Sequence, residues 1–435
     1  MAKKKIDDGT IMGTIDLPVK KAKKGKADVS DQQQFADDMS SFLETSCGLE
    51  IQTLSERDSI NYWIDSGSYA LNWIIGDSFF DGLPGSKVIM LSGDSATGKS
   101  LLADVWLGKN IEKGGISFKV DVEDSAGFKF TSKVLGSEAI ASQIRLISPK
   151  TITSGKKSNN QNLIITIERL TTIINKIVDY QVSKGVNKNP SVFIVIDSVS
   201  QLSSDKEITD IREENDKRDM TATQKMRALF RSITQILKHS NVTIVGIAHM
   251  TANVGALFGP KTVINAKGSA FGYSSSLTFQ AMSNKEIIDA KSGVPIGIKM
   301  KFVTKKNRMA FKGRTAFTYL YFDGGIDPYG GLAELLVQYG IATAGAKADV
   351  SGGFKDTTTF TYIMNSGKEI KFKIRGTKDV IEANGGIELL KEMETKLNAA
   401  YSNKLKDMGV TELDLLATDD AEEENFNEES QENEQ

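Results

Sequence analysis

KVIMLSGDSATGKS, residues 87–100, decides the fold of this chain. Six residues of buried-strand character run into GDSATGKS, Gly93 to Ser100, which fits the pattern G-x-x-x-x-G-K-[ST], and an amphipathic stretch, SLLADVWLGKNI, follows. Glycines at both ends of the turn let backbone N–H groups point inward, toward the start of a helix that already favours anions. Gly93, Asp94, Ser95, Ala96, Thr97 and Gly98 would cradle phosphates, Lys99 would reach the β- and γ-phosphates, and Ser100 would hold Mg²⁺. The expected ligand is a nucleoside triphosphate.

Outward from this loop, strands and helices alternate. ISFKVDV, VFIVID and VTIVGIA read as buried strands, and LIITIERLTTIINKIVDY and MTATQKMRALFRSITQIL as the helices between them. Such alternation predicts an α/β fold with a parallel sheet covered on both faces. SLTFQAM, GIKMKFVT and RTAFTYLYF lie too close together for intervening helices, so they are expected to extend that sheet antiparallel. Residues 346–416 mix both patterns and suggest a small α+β appendage.

Two strands end on acids. Asp197 closes VFIVID, where a Walker B carboxylate supports Mg²⁺, and KVDVEDS offers Glu123 or its neighbour Asp124 to deprotonate an attacking water. VTIVGIA ends on His249, one of only two histidines.

Composition narrows the class. The chain has 435 residues, 40% hydrophobic and 25% charged, as ordinary globular proteins do. Cys47 is the single cysteine, so no intrachain disulfide can form and a cytoplasmic setting is expected. No stretch has the length and apolarity of a membrane span. Residues 1–30 hold eight lysines and read as a flexible basic arm, and residues 31–60 carry Phe35, Met39 and Phe42 at helical spacing, a candidate oligomerisation segment or a satellite of the core. Nine acids crowd residues 417–435, and without them the net charge of −2 becomes +7. A basic body with an acidic tail suits a polyanion-binding surface and a tail that competes for it; a solubilising tail accounts for the charge equally well.

WIDSGSYALNWIIGDSFFDGLPGSKVIMLSGDSATGKS resembles the opening segment and phosphate loop of the RecA superfamily. DMTATQKMRALFRSITQIL, HMTANVGALFGPKTVINAKG and FDGGIDPYGGLAELLVQYGI are similar, in order and spacing, to segments of phage recombinases of the UvsX type. The resemblance spans about residues 60–345 and implies a RecA-like ATPase core over 61–345, with ATP and Mg²⁺ as cofactors. It implies an ATP-dependent recombinase that forms helical filaments on single-stranded DNA and pairs it with double-stranded DNA in recombination and repair. A loader and a single-strand-binding protein are implied partners, and if phage-encoded it would work in the infected cell. Hydrolysis would give ADP, or continue to AMP. A hexameric helicase on the same core is the alternative, followed by a scaffold that uses ATP only as a structural ligand.

The resemblance also implies roles. The D-x-E pattern of Asp121 and Glu123 favours Glu123 as the catalytic carboxylate, and puts Phe130 against the adenine; counting back from Gly136 selects Asp124 instead. His249 falls where a Gln or His senses the γ-phosphate. Two DNA loops are expected: residues 202–220 with Arg212, Lys217 and Arg218, and residues 250–270 with Asn253, Phe258, Lys261 and Lys267. The second is cationic and nearly acid-free, suited to tracking a single-strand backbone, with Phe258 stacking on or wedging between bases. Lys306 and Arg308 would meet the ATP of an adjacent subunit.

Overall fold

Apolar runs that are buried on both faces can satisfy their backbone only against one another, and here they assemble into one ten-stranded sheet. The computed structural model describes residues 29–48, 51, 60–125, 127–149, 164–185, 190–213, 221–252, 262–289 and 291–407. The chain divides into two units between Ser59 and Ile60. In the first, α1 (Val29–Cys47) bears out the helical spacing, with Phe35, Met39 and Phe42 exposed. The basic arm, apart from the first residues of α1, and the acidic tail lie outside the described residues.

The second unit opens with β1 (Trp63–Ile64) and β2 (Leu83–Pro84) paired antiparallel around α2 (Tyr69–Gly76). The large sheet uses β3 (Val88–Gly93), β4 (Ile116–Asp121), β5 (Arg145–Ile147), β6 (Val192–Asp197), β7 (Val242–Ala252), β8 (Thr262–Ile264), β9 (Leu277–Ile288), β10 (Pro295–Asn307), β11 (Thr315–Tyr321) and β12 (Gly325–Ile326). Their order is β12-β11-β10-β9-β3-β7-β6-β4-β5, with β8 paired to β7. Between them run α3 (Lys99–Glu112), α4 (Phe128–Leu135), α5 (Glu138–Ala141), α6 (Ile167–Lys184), α7 (Asp205–Arg212), α8 (Thr221–Leu237) and α9 (Ala266–Ser274), with α10 (Leu332–Gln338) after β12.

Alternation along the central strands sorts side chains into two cores, as a period of two requires. Ile89, Leu91, Phe193, Val195, Val245 and Ile247 face one cluster with Trp106 of α3 and Trp73 of α2. Val88, Met90, Ile194, Ile196 and Ile244 face the other, against Leu170 and Ile174 of α6, Phe230 of α8 and Phe271 of α9. Gly246 is required on β7: a Cβ there would stand 2.4 Å from the Phe271 ring, which packs edge-on against Phe230 at 4.4 Å.

The expected layout is corrected at several points. SLTFQAM does not begin the antiparallel extension, because β9 pairs parallel with β3, from Ile89↔Leu277 to Gly93↔Ala281, and the antiparallel pairing on this side starts with β10 and continues through β11 and β12. The reason is α9, a small-residue helix, AKGSAFGYS, that returns the chain to the starting end of the sheet. It also shortens the expected loop of 250–270, as do Met250–Ala252 of β7, which pair with β8. The loop of 202–220 likewise contains α7, capped by the Ser204 hydroxyl.

The segment expected as an appendage over 346–416 is joined to the residues before it by strand pairing. β13 (Ala342–Ala344) already pairs with β14 (Phe360–Ile363), which pairs with β15 (Glu369–Phe372). α11 (Thr377–Ala383) and α12 (Ile387–Asp407) complete this layer, whose Phe360, Phe372, Leu390 and Met393 share the cluster of Trp73 and Trp106. Arg314 is buried between the rings of Trp73 and Tyr401, 4.5 and 4.1 Å from their centroids, and binds Asp77. Asn398 accepts from Trp73 Nε1 at 2.7 Å and donates to Asp77 O at 3.0 Å. No helix among the described residues is long and apolar enough to cross a membrane.

Candidate active site

The parallel strands β3, β4, β6 and β7 deliver polar residues to the same carboxyl edge, where open α/β sheets bind ligands. Gly93 of β3 lies in register with His249 of β7, and Asp121 of β4 with Asp197 of β6. The registry brings the phosphate loop, the strand-end acids and the histidine together.

Gly93, Ala96 and Gly98 have φ of 152°, 58° and 84°, and Gly98 is the N-cap of α3. A Cβ on Gly93 would stand 2.9 Å from that of Ala281. Asp94, Ser95 and Ala96 are exposed at the tip, whereas Thr97 and Lys99 are buried. Lys99 Nζ donates to Asp94 O at 2.5 Å and to Thr97 Oγ1 at 3.3 Å, and Thr97 Oγ1 donates to Asp94 O at 2.8 Å. Burial pulls the Lys99 ammonium below the ordinary lysine range, opposed by Asp197, Asp94 and Glu123. A buried ammonium held by one carbonyl and a hydroxyl has donors to offer a phosphate.

Asp197 is buried, and its Oδ2 has no hydrogen-bond partner among the described residues. Burial raises its carboxyl above the usual range, with Lys119 and the Ser100 hydroxyl opposing. An orphaned carboxylate oxygen beside a hydroxyl is a donor set of hard oxygens. It fits Mg²⁺, which takes few protein ligands and completes its shell with phosphates and waters. No cluster of three or more His, Cys, Asp or Glu side chains that could hold a metal occurs among the described residues.

Glu123 stands two residues past the end of β4, and its Oε1 is 3.0 Å from His249 Nε2. The contact is a hydrogen bond from ring to carboxylate in the tautomer that has its proton on Nε2. The His249 N–H donates to Ser200 Oγ at 2.8 Å, tying β7 to the turn after β6. Asp124 takes φ 53° in the turn just beyond Glu123. Phe130, on α4, is half exposed and 6.4 Å from Phe322, while Gly324 N–H donates to Lys133 O at 3.3 Å. FDGGIDPY thus folds against α4.

The other site residues separate. Lys267 of α9 pairs with Glu207 of α7 at 3.1 Å, joining the two expected DNA segments and neutralising the cation. Arg212 ends α7, and its side chain, like Lys217, Arg218, Asn253, Phe258 and Lys261, lies outside the described residues. Lys306 Nζ donates to Tyr273 O at 3.2 Å, and Arg308 N–H to Ser276 O at 3.0 Å. Lys306 is in register with Thr278, and Thr278 with Met90. Lys306 therefore lies about 10 Å along the strands from the start of the phosphate loop, and Arg308, at the level of Val88, about 16 Å, toward the amino end of β3.

Sequence reasoning gave no role to a buried pair beside this site, Lys119 of β4 and Asp104 of α3, 2.7 Å apart. The signal was present as a lysine within ISFKVDV and an aspartate within SLLADVWL, charges at positions that should be apolar.

Residues 48–327, more than half of the chain, match the family model described as the RecA N-terminal domain. Protein RecA of Mycoplasma mycoides subsp. mycoides SC is 26% identical over 293 residues, 67% of this chain and 75% of that protein. Protein RecA of Borrelia duttonii is 27% identical over 280 residues, 64% and 68% of the two chains. The Recombination and repair protein of Enterobacteria phage T4 is 30% identical over 156 residues, 36% and 38% of the two chains. A phosphate loop whose first glycine stands in register with His249 of β7, on a mostly parallel sheet, agrees with that match: the chain belongs to the RecA family.

Proposed function

We propose that the chain is an ATP-dependent DNA recombinase, which assembles on single-stranded DNA as a helical filament and exchanges strands with a homologous duplex. The observation that carries this reading is the 3.0 Å contact of Glu123 with His249, beside the phosphate loop and at the base of the β7–β8 pair. It links a carboxylate suited to hydrolysis with the strand that leads to residues 253–261.

Mg²⁺, when bound, offsets charge on the β- and γ-phosphates. Ser100 and Asp197 would hold it, and Lys99 would exchange its loop carbonyl for phosphate oxygens. Glu123 accepts a proton from the water that attacks the γ-phosphorus, ADP leaves, and inorganic phosphate forms. To do so Glu123 releases His249, whose ring then donates to the γ-phosphate; the change passes along β7 to the DNA segment. ATP and DNA each stabilise one filament state and so strengthen one another's binding. Phe130 lies against the base. Lys306 and Arg308, remote from their own loop, serve the ATP of a neighbouring subunit, and residues 31–60 contribute to that contact. A loader and a single-strand-binding protein act before it.

The test is phosphate release with and without single-stranded DNA, followed by electron microscopy of the assembly. DNA-stimulated release and open filaments are expected; closed rings, or release indifferent to DNA, would overturn the proposal.

A further inference from the structure

Asp104 and Lys119 form a buried ion pair at 2.7 Å, each side chain 6% exposed. Such pairs seldom stabilise a fold more than apolar residues of similar size would, so stability is a poor reason for one in an apolar layer. Its surroundings offer another. Lys119 Nζ stands 4.0 Å from Asp197 Oδ2, beyond hydrogen-bonding distance, and that oxygen has no hydrogen-bond partner among the described residues. The anchor is fixed at both oxygens: Asp104 Oδ1 takes Lys119, and Oδ2 accepts from Thr131 Oγ1 of α4 at 3.2 Å.

A charged lysine 4.0 Å from a carboxylate oxygen that accepts no hydrogen bond would close the remaining gap if nothing restrained it. Closed, it would occupy the oxygen that a cation needs. We infer that Asp104 is a positioning residue for the Mg²⁺ site: by anchoring Lys119 it keeps the ammonium off Asp197 Oδ2 and leaves that oxygen open to the metal. This rests on the reading of Asp197 as a Mg²⁺ ligand.

The measurement is binding of a fluorescent, non-hydrolysable ATP analogue to the full chain, by anisotropy, as Mg²⁺ is titrated. Asp104→Asn keeps the shape and loses the anchoring charge, and should raise the Mg²⁺ concentration for half-saturation about tenfold. Adding Lys119→Met to that variant removes the competing ammonium and should bring the value back to within about twofold of wild type, which general loosening of the fold would not do. An unshifted midpoint in Asp104→Asn, or a defect that the second substitution leaves in place, overturns the inference. Circular dichroism reports folding; if Asp104→Asn does not fold, Thr131→Val, which frees the anchor's other oxygen, takes its place with the same two outcomes. Wild type and Asp197→Ala separate the two levels. If analogue binding is indifferent to Mg²⁺ in wild type, or survives Asp197→Ala with its Mg²⁺ dependence unchanged, the metal reading fails and the inference with it. If both controls respond and only the Asp104 variants do not, the inference fails alone.

Discussion

Glu123 and His249 meet through one oxygen–nitrogen contact, and each has a different task to lose. Glu123→Gln keeps the size and hydrogen bonding of the side chain but cannot take a proton. Hydrolysis should fall about 10²–10⁴-fold while ATP and single-stranded DNA still bind, as phosphate release and anisotropy would report. Unchanged turnover would return the role to Asp124. His249→Ala removes the ring but leaves the backbone bond to Ser200 available. ATP affinity should be nearly unaltered, whereas the gain in DNA affinity that ATP confers should vanish; a variant that keeps the gain would disprove the relay. Part of this was legible in residue order, since an apolar run followed by a histidine and two followed by acids are one-dimensional patterns, although β7 runs on past His249 to Ala252. That Glu123 rather than Asp124 meets the ring was not, because the choice turns on a backbone angle one residue further on. Lys119 and Asp104 were visible only as charges out of place, since their partnership joins a helix to a strand fifteen residues away.

At the scale of elements, the alternation of apolar runs with amphipathic stretches gave the parallel sheet, because burial on both faces leaves a strong mark on composition. It failed at α9, whose glycines, serines and alanines lack an apolar stripe; Gly268 and Gly272 let the helix approach Ala248 and Met90 closely, while Ala270 and Phe271 enter the core. β8 escaped notice because three residues carry no period. The position of Lys306 and Arg308 depends on β10 running antiparallel, and it yields a mixing test. Neither Glu123→Gln subunits nor Lys306→Ala/Arg308→Ala subunits should hydrolyse ATP well alone, but a mixture should exceed the sum of the two. Each mixed junction of one polarity joins an intact carboxylate to intact cations. Rates that merely add would show that the cations serve their own loop. α12 gives a stability prediction: Asn398→Ala removes two hydrogen bonds to α2 and its cap, Trp73 Nε1 and Asp77 O. At about 1 kcal/mol each, the loss should lower the urea midpoint measurably, and an unchanged midpoint would count against the docking of α12.

For the whole molecule, charge segregation makes its own prediction. Removal of residues 417–435 takes nine negatives from a body that is otherwise net positive. Single-stranded DNA affinity should rise, with a steeper fall as salt increases, measured by anisotropy over a salt series. No change would identify the tail as a solubiliser. The distance from the phosphate loop to Lys306 and Arg308 has a further consequence that is a matter of counting. If every reaction centre takes its carboxylate from one protomer and its cations from the next, an open row of protomers always ends in one centre that is incomplete. Short rows waste a large fraction of their centres and long rows almost none, so turnover per protomer should climb with row length and level off. A closed ring has no ends and would show no such climb. The arithmetic of chain ends, read from turnover against protein concentration, therefore distinguishes a row from a ring without an image of either.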